Sequence, residues 1–347
     1  MNWKGMWPRL RTTVGLGFLI WMARVTPLSA SVFVRVNITE APQVTIGSST
    51  AARILSSDGR VLAEVDPLSP LTASSLGSAV QLGDVQGDRL FLQPSTANGS
   101  VFIDDVWYRG SVELRLTDGR LMAVNHVALE SYVASVIGSE MGGHFPLEAL
   151  KSQAVATRTF ALYNHNKRLQ KPYAVGDDQK WQVYKGIAAE SPTTVAAVEQ
   201  TVGEVLVHNG RLINAVYHAD SGGATENSEH VWTNPLPYLR AVSDRDLVSP
   251  RPWEKQLSRQ DLQREIVGVG QVRSVDVVER SPQGRVRRLV VSGDAGSVSL
   301  TGREFRQRFR LKSTMFDVEP GAPIRTASVA PVATPSAYVI KGRGYGH

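Results

Sequence analysis

Glu140 is the residue of this chain with the clearest capacity for chemistry. It ends the run ALESYVASVIGSE, just before Met141; there Leu129, Tyr132, Val133, Val136, Ile137 and Met141 recur at three- and four-residue steps, the spacing of one apolar helix face. The same count sets Glu140 three and four residues after Ile137 and Val136, on the apolar side of the helix. A carboxylate in that position loses hydration, desolvation raises a Glu pKa, and a Glu that keeps its proton near neutral pH is a general acid. The alternative is structural: Glu140 caps the helix end or pairs with Arg158 or Lys151. Those two cations lie seven residues apart, two turns, and share one face of the following helix. In a helical hairpin that face can meet Glu140, orienting the acid or binding substrate while also favouring the charged form.

A second cluster is NAVYHADSGGATENSEHVW. Ser221, Gly222 and Gly223 follow a strand-like run, and glycines let a backbone approach a ligand closely. Tyr217, His218, Thr225 and Trp232 would surround that loop with hydrogen-bonding and stacking groups, although most such loops are simply turns. His218 and Ser221 do not make a serine hydrolase, because the G-x-S-x-G elbow is missing. The terminal GRGYG has no strand-then-helix context and is no dinucleotide fingerprint. Arg285, Arg287, Arg288, Arg303, Arg306, Arg308 and Arg310 are candidates for an anionic polymer, against a solvated face with partners such as Glu304 and Asp294. The seven His form no H-x-x-x-H pair and the chain has no Cys, so no metal site and no cofactor is expected.

These residues need a scaffold, and the patterning predicts an α+β fold. Gly142-Gly143 stops the first helix, and Phe145-Pro146 starts a second that runs to about Asn166, proline suiting the first turn and Glu148 the positive end of the dipole. The two form a central helical hairpin. Before it, residues 32–124 read as a β-rich lobe with hairpins at Asp58-Gly59 and Asp118-Gly119, and Asp66 to Gly83 as a surface loop. After it, Pro192 to Val202 reads as a short helix and Val202–Val207, Leu212–His218 and Leu239–Val242 as strands. The C-terminal half is mixed α/β. Residues 251–318 form an inserted α+β unit, with a helix in QLSRQDLQREIVG and strands around RSVDVVE, VRRLVVS and SVSLTG. Residues 319–336 are a Pro-, Ala-, Thr- and Ser-rich linker.

Composition narrows the function classes. With 347 residues, 42% hydrophobic residues and seven Trp, the chain can bury a core and is not intrinsically disordered. Zero Cys excludes disulfides, iron–sulfur clusters and thiol nucleophiles. Lys4, Arg9 and Arg11 precede the apolar run Val14–Ala23, and small residues follow to Ser31, the order of a secretory signal over residues 1–31. That run is too short to span a bilayer, which takes about 20 residues, so the mature chain is expected to have no transmembrane helix. An exported chain of net charge +6 points to an anionic envelope polymer and away from nucleic acid.

The ordered motifs LESYVASVIGSEMGGHFPLEALKSQAVATRTFAL, QVYKG, YHADSGGATENSEHVW, PYLRAVSD and the terminal GRGYGH together resemble the SpoIID/LytB family. The resemblance is strongest from about Asn125 to Asp244, within a core expected over residues 125–250. It implies a peptidoglycan lytic transglycosylase that cleaves glycan strands, or an amidase enhancer acting with a cell-wall amidase, in the periplasm or cell wall. It places the catalytic acid/base on Glu140 and substrate binding on Lys151, Arg158, Gln182, Tyr184, Tyr238, Arg240 and His347, with Tyr217, His218, Ser221, Gly222, Gly223 and Thr225 in the same groove. One Glu suffices for that chemistry if the muramyl 6-hydroxyl is the nucleophile. Two departures stand out. Where sporulation-type members carry Cys, His and Cys before QVY, this chain has Gly176, Lys180 and Trp181, so the family's zinc is expected to be absent. The family pattern also runs past its Gly-rich motif, so residues 337–347 are read as the start of that motif in a truncated product.

Overall fold

The computed structural model describes residues 32–232, 234–244, 251–321 and 337–346. The signal-peptide reading at residues 1–31, most of the linker and His347 fall outside them. The described chain is a strand-rich mixture with six α-helices, none of which is long and apolar enough to cross a membrane.

From Phe33 the chain builds two sheets. In the seven-stranded sheet, Phe33–Ala41 pairs with Arg120–Ala128, followed outward by Ser111–Thr117, Arg89–Pro94, Ala52–Ser56 and Val61–Val65. On the other side of Phe33–Ala41, Val175–Gly176 joins in parallel. The six-stranded sheet runs Val106–Arg109, Ser100–Ile103, Gln43–Ser48, Leu71–Leu76, Ala79–Leu82 and Val85–Gly87. Alternation decides which side chains go inward: Val34 and Val36, Val44 and Ile46, and Leu90 and Leu92 are all buried in one cluster shared by both sheets.

The expected hairpins at Asp58-Gly59 and Asp118-Gly119 are present. The expected loop at Asp66–Gly83 is corrected, because Leu71–Leu76 and Ala79–Leu82 are paired strands. Their inward residues Ala73, Val80 and Leu82 are fully buried, but with so few of them among Ser and Thr the alternation is too short to read.

Helix α1 (Leu129–Glu140) and helix α2 (Leu147–Lys167) form the hairpin and pack into the same cluster through Tyr132, Val133, Ile137, Leu150, Ala154 and Ala161. Gly142, at φ 78°, takes the left-handed conformation that ends α1, and its N–H donates to the Gly138 carbonyl at 2.9 Å. Burial on α1 is wider than one face, with every residue from Tyr132 to Ile137 buried. Two further pieces account for this. A 3₁₀ turn, Gly186–Ala189, and helix α3 (Pro192–Glu199) also pack on α1, the turn lying against the strand Val106–Arg109 as well. Ser191 caps α3 through a capping box with Thr194, with Pro192 at the first turn.

Past α3 the chain is mostly irregular. Of the three strands expected there, only a short hairpin, Val207–His208 with Arg211–Leu212, forms. Leu239–Val242 and the rest of Leu212–His218 are not regular strands; among the described residues the isolated bridges Asp220–Tyr345 and Ala224–Ser243 occur instead. A strand needs a neighbour to satisfy its backbone, and here side chains do that work: Asn214 N–H donates to the Tyr238 hydroxyl at 3.4 Å and Val242 N–H to the Thr225 hydroxyl at 2.9 Å.

A second hydrophobic cluster lies in the C-terminal residues. Val272–Arg280, Val286–Gly293 and Ser297–Thr301 pair in order, matching the expected strands. Arg259–Glu265 and Gly302–Arg308 are its helices, and Leu262, Leu289, Phe305 and Phe316 are in its core. A further sheet places Ala337–Arg343 between Pro252–Ser258 and Phe316–Pro320. The segment after the linker therefore supplies the middle strand of that sheet.

Gly138 shows how tightly α1 is enclosed. A Cβ there would lie 1.9 Å from the Ala189 carbonyl oxygen, so Gly138→Ala must push the 3₁₀ turn off the helix. The variant is expected to lose about 1–3 kcal/mol in denaturant unfolding, although alanine is the better helix former; unchanged stability would contradict this packing.

Candidate active site

Glu140 is the last residue of α1, and the structure corrects its expected environment: the side chain is exposed. Periodicity gives a direction around the helix axis but not what stands opposite. At this final turn the neighbours are polar. Oε1 accepts hydrogen bonds from Val183 N–H at 2.9 Å and from the Tyr217 hydroxyl at 3.2 Å. Burial pushes the Tyr217 phenol up, and the Glu140 carboxylate beside it adds to that. The phenol is thus held neutral, as a donor to the carboxylate.

The two cations of α2 do not reach Glu140. Arg158 is 1% exposed and forks onto Glu130, Nε to Oε1 at 3.0 Å and Nη2 to Oε2 at 2.7 Å, with Nη1 donating to the Glu204 carbonyl at 3.2 Å. Glu130 lies ten residues before Glu140 on the same helix, about 15 Å away along the axis. In an antiparallel hairpin, residues equally distant from the turn stand level, and counting outward from His144 puts Arg158 beside Glu130. That signal is present in the sequence. Lys151 pairs with Glu148 one turn earlier, at 2.9 Å.

Of the QVYKG residues, Gln182, Tyr184 and Gly186 lie inward. Tyr184 is buried, donates to Asn125 Oδ1 at 2.9 Å and packs against Tyr108 and Tyr132, its ring centroid 5.0 Å from that of Tyr132. Gln182 is fully buried and accepts from the Tyr132 hydroxyl at 3.1 Å. Gly176 sits under the Trp181 indole, where a Cβ would be 2.7 Å from the ring. With Lys180 as the third residue, this set has no thiolate or imidazole and does not fit the zinc of the sporulation-type pattern. Among the described residues no three His, Asp or Glu side chains are grouped to hold a metal.

The SGG turn is a structural joint. Ser221 hydroxyl donates to Asp244 and accepts from Gly223 N–H at 3.0 Å, while Asp220 and Tyr345 exchange backbone hydrogen bonds at 2.8 and 3.1 Å. A Cβ on Gly222 would lie 3.1 Å from the Arg343 carbonyl. Arg285, 3% exposed, reaches across and donates from Nη2 to the carbonyls of Ser221 and Ala224. Thr225 holds Val242, Tyr238 packs at a tilt against His208 with ring centroids 5.6 Å apart, and Arg240 forks onto Glu229 at 2.8 and 2.6 Å.

Tyr217, His218 and Trp232 line a cavity of about 540 Å³ together with Arg285, Arg303 and Arg306. Tyr217 therefore connects that cavity to Glu140 by one hydrogen bond. Of the fourteen expected site residues, Glu140, Tyr217 and His218 gather at this place. The others described hold the surrounding loops or lie in the core, and His347 is outside the described residues.

Two consequences can be measured. Glu130→Ala strands a buried guanidinium and is expected to cost about 3–5 kcal/mol. Arg158→Ala leaves a half-exposed carboxylate that can rehydrate and should cost less in the same denaturant titration; the reverse order would argue against a structural pair. The second concerns pH. Burial, with the Arg285 guanidinium nearby, pushes the His218 imidazole from 6.5 down to about 4. Between those values the unfolded chain binds a proton that the folded one does not, so stability from His218 is intact above pH 6.5 and is lost as pH falls towards 4. Glu229, held near 2 by hydrogen bonds from Arg240, acts only below its ordinary 4.5. His165 is also pushed down by burial. The unfolding midpoint should therefore fall between pH 6.5 and 4.5, and His218→Gln should reduce that slope without abolishing it.

Comparison with known proteins agrees with the motif order. Residues 117–208 match the family model described as Stage II sporulation protein, and residues 251–347 match a domain of unknown function, DUF8618. The chain is 32% identical over 245 residues to the stage II sporulation protein D of Bacillus subtilis, covering 65% of this chain and 66% of that one. It is 32% identical over 211 residues to an uncharacterized protein of Brachyspira hyodysenteriae, covering 59% of this chain and 56% of that one. It is also 41% identical over 128 residues to the amidase enhancer of Bacillus subtilis, covering 37% of this chain and 17% of that one. The matches thus span about 56% to 66% of the curated sporulation and Brachyspira relatives. Glu140 lies inside the matched Stage II sporulation domain, and with these relatives the chain belongs to the SpoIID/LytB family.

Proposed function

We propose that this chain is an exported, peptidoglycan-active protein of the periplasm or cell wall that cleaves glycan strands as a lytic transglycosylase, with Glu140 as its acid and base. The observation that carries this reading is the state of Glu140: an exposed carboxyl at a helix end, oriented by Val183 N–H and the Tyr217 hydroxyl. Among the described residues it has no ion-pair partner. A carboxyl so placed is free to exchange a proton with a bound sugar.

The chemistry needs no second carboxylate and consumes no water. The protonated Glu140 carboxyl gives its proton to the glycosidic oxygen as the bond from the muramyl C1 to that oxygen breaks. The 6-hydroxyl oxygen of the same muramyl residue attacks C1, and its proton passes to the Glu140 carboxylate. A 1,6-anhydro end forms and the acid is regenerated. Tyr217 fixes the carboxyl rotamer, and the exposed Trp232 ring in the cavity wall offers a stacking face for a sugar.

The 41% identity to an amidase enhancer favours a second reading, in which the same groove holds glycan without cleaving it and the protein stimulates a cell-wall amidase. One substitution separates the two. Glu140→Gln, assayed on denuded glycan by mass analysis of soluble products, should lower release of anhydro ends by about 10²–10⁴-fold. Equal release from the variant rules out the transglycosylase reading, and stimulation of a partner amidase that survives the substitution supports the enhancer.

A further inference from the structure

The cavity beside Tyr217 has an unbalanced charge. Four arginines line it, with Glu229 the carboxylate in its wall. Glu229 is taken by Arg240 at 2.6 Å, and Arg287 by Glu279 at 2.9 Å. Arg285 is spent on the backbone of the SGG turn, yet its Nε and Nη1 are buried without a hydrogen-bond partner. Arg303 and Arg306 have no carboxylate partner among the described residues, and Arg306 Nε is likewise buried and unpartnered. A half-buried guanidinium without an acceptor is costly unless an anion completes it. Arg306 is such a guanidinium, and with the exposed Arg303 one turn before it and the almost fully buried Arg285 it makes a forked anion site.

We infer that the Arg303–Arg306 wall binds a carboxylate carried by the glycan strand, so that the protein selects acidic muramyl glycan over a neutral polysaccharide of the same backbone. The inference rests on the glycan reading of the site. It adds the substrate's charge as the specificity element and places that recognition on C-terminal residues that line the cavity with Tyr217. Two carboxylate sources exist in such a polymer: the lactyl group on the muramyl ring once the stem peptide is gone, and the carboxylates of a retained stem peptide. Both present the same planar acceptor to a guanidinium.

The test is calorimetric binding of the full chain carrying Glu140→Gln, so that ligand is not consumed, at low ionic strength. The probes are a denuded glucosamine–muramyl octasaccharide, the same oligosaccharide with its lactyl carboxylates methyl-esterified, a stem-peptide-bearing oligosaccharide and a chito-oligosaccharide of equal length. The free-carboxylate glycan should bind roughly tenfold or more tightly than the chito-oligosaccharide. Arg303→Gln with Arg306→Gln should remove that preference. Arg303→Gln alone, at an exposed position, should remove part of it even if Arg306 proves necessary for folding. Arg288→Gln, outside the cavity, should keep it. Loss of the preference on esterification assigns the lactyl group, and a preference confined to the peptide-bearing glycan assigns the stem peptide; either supports a carboxylate site. Equal binding of muramyl and chito-oligosaccharides, unmoved by the arginine substitutions, overturns the inference and leaves the glycan reading intact. A folded protein that binds none of the four overturns the glycan reading and this inference with it.

Discussion

The guanidinium of Arg285 is the constraint on which the site geometry depends. Burial pushes it down to about 10, against the pull of the Glu226 and Asp244 carboxylates, so it remains a cation at neutral pH. A buried charge has to be met by dipoles and counter-charges. Here the Ser221 and Ala224 carbonyls meet it, with Glu226 itself tied to Ser281 and His230. The result is a clamp that presses the SGG turn against the strand ending at Arg343. The chain just before that turn carries Tyr217, and the clamp at one end lets the phenol reach Glu140 at the other.

Most charged groups around the hairpin are already satisfied, which isolates the few that are not. Arg158 spends its fork on Glu130, Lys151 faces Glu148, and Arg240 holds Glu229. These pairs fasten helix to helix and loop to loop. Among the described residues Glu140 has no ion-pair partner, and Arg303 and Arg306, which line the cavity with Tyr217, have no carboxylate partner. Separation of an acid from the guanidinium groups matters physically, because a directly paired arginine would hold the carboxylate in its charged form. The 3₁₀ turn over Gly138 and the tight bend at Gly142 keep the end of α1 rigid enough to present that acid.

Much of the scaffold was legible in the order of residues. The α1–α2 hairpin, its Gly142 stop and Pro146 restart, the two Asp-Gly hairpins and the three strands from Val272 to Thr301 all follow from local periodicity and turn chemistry. The failures have a common cause. Leu71–Leu76 and Ala79–Leu82 were hidden because few of their residues point inward. Residues 213–218 and 239–242 have strand-like composition but no neighbouring strand, and side chains such as Thr225 and Tyr238 satisfy backbone groups in its place. In the same way Glu140 and Glu130 both sit on α1 with equal claim on Arg158. The level of the facing helix decides between them, and counting from the turn would have shown it.

The sequence by itself determined most of the regular elements and the family, since helix stops, strand alternation and the ordered motifs are properties of neighbours along the chain. Tertiary structure alone decided the surroundings of Glu140: polar donors from Val183 and Tyr217 where apolar neighbours had been expected. It also decided that Arg285 holds a loop while Arg303 and Arg306 face a cavity, because seven similar arginines differ only in what lies across from them. Ion pairing and desolvation act over a few ångströms of space, and the partners concerned are separated by tens of residues in the chain.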